Sequence, residues 1–219
     1  MAYSLGNTPE VEGGNLSQTA SAKDWTGNSR SAHAMLGARN YAKNDREAND
    51  YYATEPKAVE LLLEHEQFSP YIWEPACGEG HMSKVLESHG FNVLSTDLID
   101  RKYGTGGVDF LKKTGTEIPR DIITNPPYKY AKEFVEHALN ISADGTKIAM
   151  FLKIQFLEGK ARRQLFDKYP PQTVYVSSRR LRCAMNGDFE KYAKSNAICY
   201  AWFVWHKGHF GPTHLKWIN

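Results

Sequence analysis

Cysteine is scarce in this 219-residue chain, and the three present, Cys77, Cys183 and Cys199, are an odd number with no metal-ligand spacing. That argues against a disulfide framework and against a structural zinc, and it suits a reducing cytosol. Long apolar runs are also missing: none approaches the roughly 18 residues that suggest a membrane-spanning helix. The opening segment, MAYSLGNTPEVEGG, lacks the basic and apolar regions of a signal peptide. A soluble, intracellular protein is therefore expected, with neither membrane nor metal among its partners. An excess of one charge is absent too, since 27 Lys and Arg stand against 25 Asp and Glu for a formal charge of +2. So weak a net field does not identify nucleic acid by long-range attraction, and the distribution of charge has to carry that question. There is no internal repeat.

Apolar residues, by contrast, are plentiful: 41% of the chain is hydrophobic and 12% aromatic, spread across residues 52–218. This length supports one α/β domain with a sizeable core. Residues 1–45, rich in Gly, Ser, Asn, Thr and Ala with isolated apolar anchors at Trp25 and Met35-Leu36, read as a flexible polar arm, and 46–219 as the folded domain. Thr54-Glu-Pro56 followed by an apolar stripe predicts a helix over about 55–67. Short apolar runs then alternate with helical stretches: YIWEP, a helix near 81–89, FNVLSTD, GGVDFL, DIITN, a helix near 129–140, KIAMFLK, a helix near 158–168, TVYVSS, AICYAWFVW and THLKWI. About seven mostly parallel strands, flanked by helices on both faces, are expected.

Three turns in this series carry ligand chemistry. Ile72-Trp-Glu-Pro-Ala-Cys-Gly-Glu-Gly-His81 runs a strand into a turn holding Gly78 and Gly80, where bare backbone can approach a ligand; a strand followed by Gly-x-Gly is also often only a tight turn. Ser95-Thr-Asp97 places a carboxylate at the end of the next strand, suited to accepting from both hydroxyls of a ribose. Val108-Asp109-Phe110 offers an acceptor for an adenine amino group beside an aromatic face. Successive turns of this kind line one rim of an open α/β sheet, which is where such sheets bind ligands.

The sharpest signal is Asp121-Ile-Ile-Thr-Asn125-Pro126-Pro127-Tyr128. Two prolines at a strand exit stiffen the loop and remove two N–H donors, which leaves the Asn125 amide and backbone carbonyls as acceptors. An exocyclic amine on an aromatic ring is a poor nucleophile because its lone pair is delocalised. The Asn125 oxygen and the Pro126 carbonyl, each accepting one N–H, favour a more tetrahedral nitrogen. Tyr128 is placed to stack on the base, which must be flipped out of a duplex or lie in a single strand.

These motifs resemble the class I, Rossmann-like methyltransferases, and among them the adenine-N6 and cytosine-N4 enzymes that carry Asn-Pro-Pro-Tyr; the resemblance covers roughly residues 50–206. It implies S-adenosyl-L-methionine as cofactor, held by Glu74, Ala76, Gly78, Gly80 and Asp97, with Cys77 and Leu98 flanking the same two turns. Cys77 is assigned to packing, since amine methylation needs no thiol nucleophile. The resemblance further implies Asp109 and Phe110 at the adenine of the cofactor, with Asn125 beside its methyl group. The segment Asp50-Tyr-Tyr-Ala-Thr54-Glu-Pro56 looks like the family's motif preceding the glycine turn, with Tyr52, Thr54 and Pro56 closing over the methionine end. That order resembles the gamma arrangement of amino-methyltransferases. The wider pattern, SAHAMLGARN, NDYYATEP, IWEPACGEGHM, QFLEGKARRQLF and WFVWHKG, looks like a compact group encoded by bacteriophages and prophages.

The reaction so implied is methylation of N6 of adenine in DNA, with RNA adenine, cytosine N4 or a protein glutamine as alternative acceptors and an inactive scaffold as the non-enzymatic alternative. One departure concerns target recognition: less than half of the chain follows Tyr128, and most of that is needed to finish the sheet. Specificity is then expected from loops, a separate subunit or a homo-oligomer. Within 158–182, Lys160, Arg162, Arg163, Lys168, Arg179, Arg180 and Arg182 face only Glu158 and Asp167, a cluster able to neutralise phosphates or to form a solvated face. Arg182 to Phe189 reads either as a loop beside the base pocket or as a hairpin turn at Asn186-Gly187. His81 and His89 read as a surface or packing pair, and Trp202 and Trp205 as core.

Overall fold

The computed structural model describes residues 51–114, 120–185, 187, 189 and 198–219; the polar arm expected over 1–45, and Asn186, lie outside the described residues. Among the described residues, nine strands and four α-helices follow in chain order: β1 Tyr52–Thr54, α1 Pro56–His65, β2 Tyr71–Glu74, α2 His81–Ser88, β3 Asn92–Ser95, β4 Asp121–Thr124, α3 Ala131–Ile141, β5 Lys147–Lys153, α4 Arg163–Lys168, β6 Thr173–Ser177, β7 Cys183–Met185, β8 Tyr200–His206 and β9 His214–Ile218. Seven strands form one sheet in the order β3-β2-β4-β5-β8-β6-β9. Neighbours run parallel, except that β8 is antiparallel to both β5 and β6.

The central strands read as unbroken apolar runs because both of their faces are covered. Along β5, Ala149 and Phe151 point to one face, while Ile148, Met150 and Leu152 point to the other. Strand β8 divides in the same way, Trp202 and Val204 against Ala201, Phe203 and Trp205. The first face packs on Val59 and Leu62 of α1 and Met82 and Leu86 of α2; the second packs on Phe134, Val135 and Leu139 of α3 and Leu165 of α4. Both tryptophans are buried with their indole N–H satisfied, Trp202 by the Ala58 carbonyl at 2.8 Å and Trp205 by the Tyr169 carbonyl at 3.0 Å.

Two expectations need correction, and one strand pairing was not expected. GGVDFL is not a strand: Phe110–Lys112 is a 3-10 helix, and only an isolated parallel bridge, Thr96 to Thr105, runs beside β3. Gly107 has φ +74°, and the Asp109 carboxylate takes the Leu111 N–H at 3.1 Å, so local turn chemistry outcompetes a ladder. The stretch 158–168 is not one helix, since Gly159 has φ +109° and Lys160–Arg162 is a 3-10 turn before α4. Finally, β1 and β7 form a separate two-stranded antiparallel sheet, pairing Tyr52 with Met185 and Thr54 with Cys183 across most of the chain.

Candidate active site

A cleft of about 490 Å³ opens at the carboxyl ends of β2, β3 and β4, within the size range of small-molecule sites. Its walls include Tyr52 and Thr54 of β1, Glu74, Ala76 and Cys77 at the end of β2, Asp97 and Leu98 after β3, Asp109 and Phe110 of the next loop, and Asn125, Pro126, Pro127 and Tyr128 after β4. Five segments separated in sequence therefore converge on one cavity. Pro56 stands apart from it as the exposed first residue of α1.

The orientation of Asn125 is fixed by its neighbours. Its Nδ2 donates to the Tyr52 backbone carbonyl at 2.8 Å and to Thr54 Oγ1 at 3.0 Å. A backbone carbonyl can only accept, so the nitrogen must face β1 and the oxygen must face away. That oxygen, Oδ1, is buried and has no hydrogen-bond partner. An orphaned buried acceptor costs free energy unless something donates to it, and in a cleft that donor is a ligand or water. Tyr128 lies beside it, its hydroxyl on Cys183 Sγ at 3.2 Å and its ring near Tyr52, Tyr200 and the Lys153 ammonium.

Asp97 is anchored as firmly. One carboxylate oxygen accepts from the Gly78 N–H and the other from the Ile99 N–H, both at 2.8 Å, which ties the glycine turn to the end of β3. The two glycines are required by aromatic neighbours: a Cβ on Gly78 would stand 2.2 Å from the Tyr51 ring, and one on Gly80 would stand 2.3 Å from the Tyr103 ring. Leu98 is 59% exposed at the cleft wall, an apolar surface a ligand can cover. Asp109 is engaged with the Leu111 N–H and with Lys112 at 3.1 Å, and Phe110 is packed edge-on against Trp73 and His137.

Sequence reasoning passed over Tyr51 and Arg101 and read His81 as one of a surface or packing pair; all three line the cleft. Tyr51 lies over the glycine turn, its hydroxyl 3.3 Å from His81 Nδ1 and accepting from the Glu79 N–H, with the Arg101 guanidinium 4.2 Å above its ring. Its position beside Tyr52 in the DYYATEP segment was the available signal. His89 is unconnected with His81: it is exposed at the end of α2 and bonds the Val85 carbonyl. Burial pushes the Cys77 and Cys183 thiols up to about 12, so both are protonated at neutral pH, as packing roles require.

Glu74 is the most perturbed acid in the cleft. It is 2% exposed, and burial pushes its carboxyl up to about 8 despite hydrogen bonds from Ser83 that favour the ionised form. A carboxyl whose folded pKa lies above its unfolded value of 4.5 contributes its full stability below that value and loses it as the pH climbs to 8. Each pH unit in that window removes about 1.4 kcal/mol. Glu74→Gln is therefore expected to melt progressively higher than the parent as pH rises from 5 to 8; thermal melts that keep a constant difference between the two proteins would contradict this.

Of the basic residues after β5, Arg162, Arg163 and Arg182 have distinct partners. Arg162 donates to the Phe156 and Gln155 carbonyls at 2.8 and 3.1 Å and so closes the turn beneath it. Arg163 forms an exposed pair with Asp167. Arg182 clamps the two-stranded sheet: its N–H and Nε donate to Glu55 at 2.7 and 3.1 Å, and the Glu55 N–H returns a bond to the Arg182 carbonyl. Lys160, Arg179 and Arg180 are exposed. Arg182→Ala and Glu55→Ala are each expected to destabilise the protein by about 1 kcal/mol without adding up in the double variant. A reduced salt slope of nucleic-acid binding for Arg182→Ala alone would instead place that side chain on a phosphate.

Strand order, the single antiparallel strand and a cleft at the parallel strand ends define the class I methyltransferase fold. No protein-family profile and no curated protein matches the sequence. Solved structures do share the fold. One is assigned as a class I S-adenosylmethionine-dependent methyltransferase from Listeria monocytogenes, with TM-score 0.52 and 10% identity over 80% of this chain and 67% of that one. Another is a modification subunit of a type I restriction enzyme from Vibrio vulnificus, with TM-score 0.53 and 15% identity over 84% of this chain and 49% of that one, so this chain matches about half of its length. A third is the 23S rRNA methyltransferase ErmE, with TM-score 0.50 and 15% identity over 72% and 70% of the two chains.

Proposed function

We propose that this protein is an S-adenosylmethionine-dependent methyltransferase acting on an exocyclic amino group of a nucleobase, N6 of adenine in DNA. The observation that carries the reading is the Asn125 amide, whose nitrogen is spent on β1 and whose buried oxygen is left as an acceptor in the cleft. A primary amine on an aromatic ring supplies the donor that this oxygen lacks. With one N–H held by Asn125 and the other by the Pro126 carbonyl, the nitrogen lone pair turns out of the ring plane toward an electrophile. Acceptors of this kind position the amine without needing a strong base, and the proton it sheds passes to solvent.

The cleft suits the cofactor. Asp97 offers a carboxylate already fixed by two N–H donors for ribose hydroxyls, exposed Leu98 offers apolar surface for an adenine with the buried Phe110 behind the wall, and Glu74 offers a buried acid for a cationic ligand. When bound, S-adenosylmethionine supplies an electrophilic methyl group on a positively charged sulfur. A base within a duplex cannot enter such a cleft, so the target nucleotide is flipped or single-stranded. Lys160, Arg163, Arg179 and Arg180, all exposed, are the candidates for phosphate contacts.

A restriction-modification subunit among the structures sharing the fold accords with DNA, while the rRNA enzyme shows that the fold also serves RNA. Methyl transfer from labelled S-adenosylmethionine to unmethylated DNA, total RNA and protein, followed by nucleoside mass spectrometry, decides among them. N6-methyladenine in DNA is the expected product. Label confined to RNA, cytosine or protein would move the assignment to that acceptor, and no label despite measurable cofactor binding would favour the inactive scaffold.

A further inference from the structure

Three carboxylates line the cleft, and Glu74 differs from the other two. Asp97 and Asp109 accept backbone N–H bonds, and Asp109 also pairs with Lys112. Glu74 also accepts from a backbone N–H, that of Ser83, but it is almost fully buried, and it is bonded to the Ser83 hydroxyl, which in turn lies 2.6 Å from the Ser95 hydroxyl. No cation among the described residues forms an ion pair with it. The charged groups that bear on it are Asp97, from the turn after β3, and Glu87, from α2, both negative; the neighbouring Cys77 contributes a protonated thiol. A buried acid in negative surroundings, facing a cavity, is ionised cheaply only when a positive ligand enters.

Resting on the cofactor assignment above, we infer that Glu74 reads the charge of the cofactor: ionised beside cationic S-adenosylmethionine, it takes up a proton when neutral S-adenosylhomocysteine remains. The balance is simple. Transfer moves the methyl group to the amine and turns a sulfonium into a thioether, so the ligand loses one positive charge. Glu74 then binds one proton from solvent, and the cleft keeps its net charge. Ionised Glu74 favours the substrate form of the cofactor, and protonated Glu74 gives the product no compensating attraction, which promotes exchange. In the free protein the carboxyl titrates at about 8, so binding the cation near neutral pH must expel its proton.

Calorimetry of the full chain with each ligand, in two buffers of different ionisation enthalpy, tests this directly. S-adenosylmethionine is expected to release close to one proton near neutral pH, with affinity rising about 25-fold between roughly pH 6.5 and 8.5. S-adenosylhomocysteine is expected to release none and to bind with little pH dependence. The carboxyl group common to both ligands cancels in the comparison, and the α-ammonium, made more acidic by the sulfonium, is accounted for by titrating each ligand free in solution. In Glu74→Gln the proton release should vanish and the affinity ratio of the two ligands should narrow. Equal proton release by both ligands, or release that persists in Glu74→Gln, overturns the role of Glu74 alone. Failure of both ligands to bind the parent protein overturns the cofactor assignment and this inference with it. The comparison of ligands on the parent stands whether or not the variant folds.

Discussion

Replacing Asn125 with alanine is expected to abolish methyl transfer while leaving cofactor affinity close to that of the parent. The side chain does two separable things. Its nitrogen fastens the loop after β4 to Tyr52 and Thr54, and its oxygen is the unpartnered acceptor in the cleft. Loss of one preorganised acceptor at a reacting centre costs at least about 100-fold in rate. Truncation also leaves the Tyr52 carbonyl without this donor, so the melting temperature should fall modestly. Thr54→Val separates the two effects: it removes one anchor of the amide, keeps Oδ1, and should lower turnover far less than Asn125→Ala. The decisive measurement is single-turnover methyl transfer at saturating cofactor. Near-normal turnover in Asn125→Ala would remove the amide from the chemistry and leave it as a structural tie.

The legible part of this molecule was the part governed by local periodicity. Apolar runs such as KIAMFLK and AICYAWFVW announced central strands because each of their faces meets a helix layer, and both strands lie where those runs stand. The turn residues Gly78, Asp97, Asn125 and Tyr128 were legible as a series because open sheets gather ligands at strand ends. The contacts that hold those residues in place were not. Gly78 is explained by the ring of Tyr51 and Gly80 by the ring of Tyr103, each of which arrives from another loop. The pairing of β1 with β7, which sets the Asn125 amide, joins segments more than a hundred residues apart with only three residues on each strand. No periodicity exists in so short a run. Arg182 read as one basic residue of a cluster until Glu55 was seen to clamp it. GGVDFL read as a strand because its apolar residues follow a glycine pair, and the carboxylate of Asp109 decided otherwise by bonding its own neighbour.

Asp97→Ala is expected to weaken S-adenosylmethionine by about 100-fold, the worth of two hydrogen bonds to a charged acceptor. The carboxylate accepts from Gly78 and Ile99 through different oxygens, and each oxygen retains a lone pair for a ligand hydroxyl. Truncation therefore removes the ribose acceptors and frees the glycine turn at the same time. The two consequences separate in measurement: a loosened turn lowers the melting temperature of the free protein, whereas lost ribose bonds raise the apparent KM for cofactor and leave kcat near that of the parent once the site is saturated. Asp97→Asn does not serve as a silent control, because its amide nitrogen would face one of two backbone donors that now meet an acceptor. An unchanged cofactor affinity in Asp97→Ala would exclude this carboxylate from the ribose role and shift the adenosine end of the site toward Asp109 and the wall formed by Phe110. A fall in affinity accompanied by an equal fall in kcat would mean that the glycine turn, held by Asp97, also positions the reacting groups.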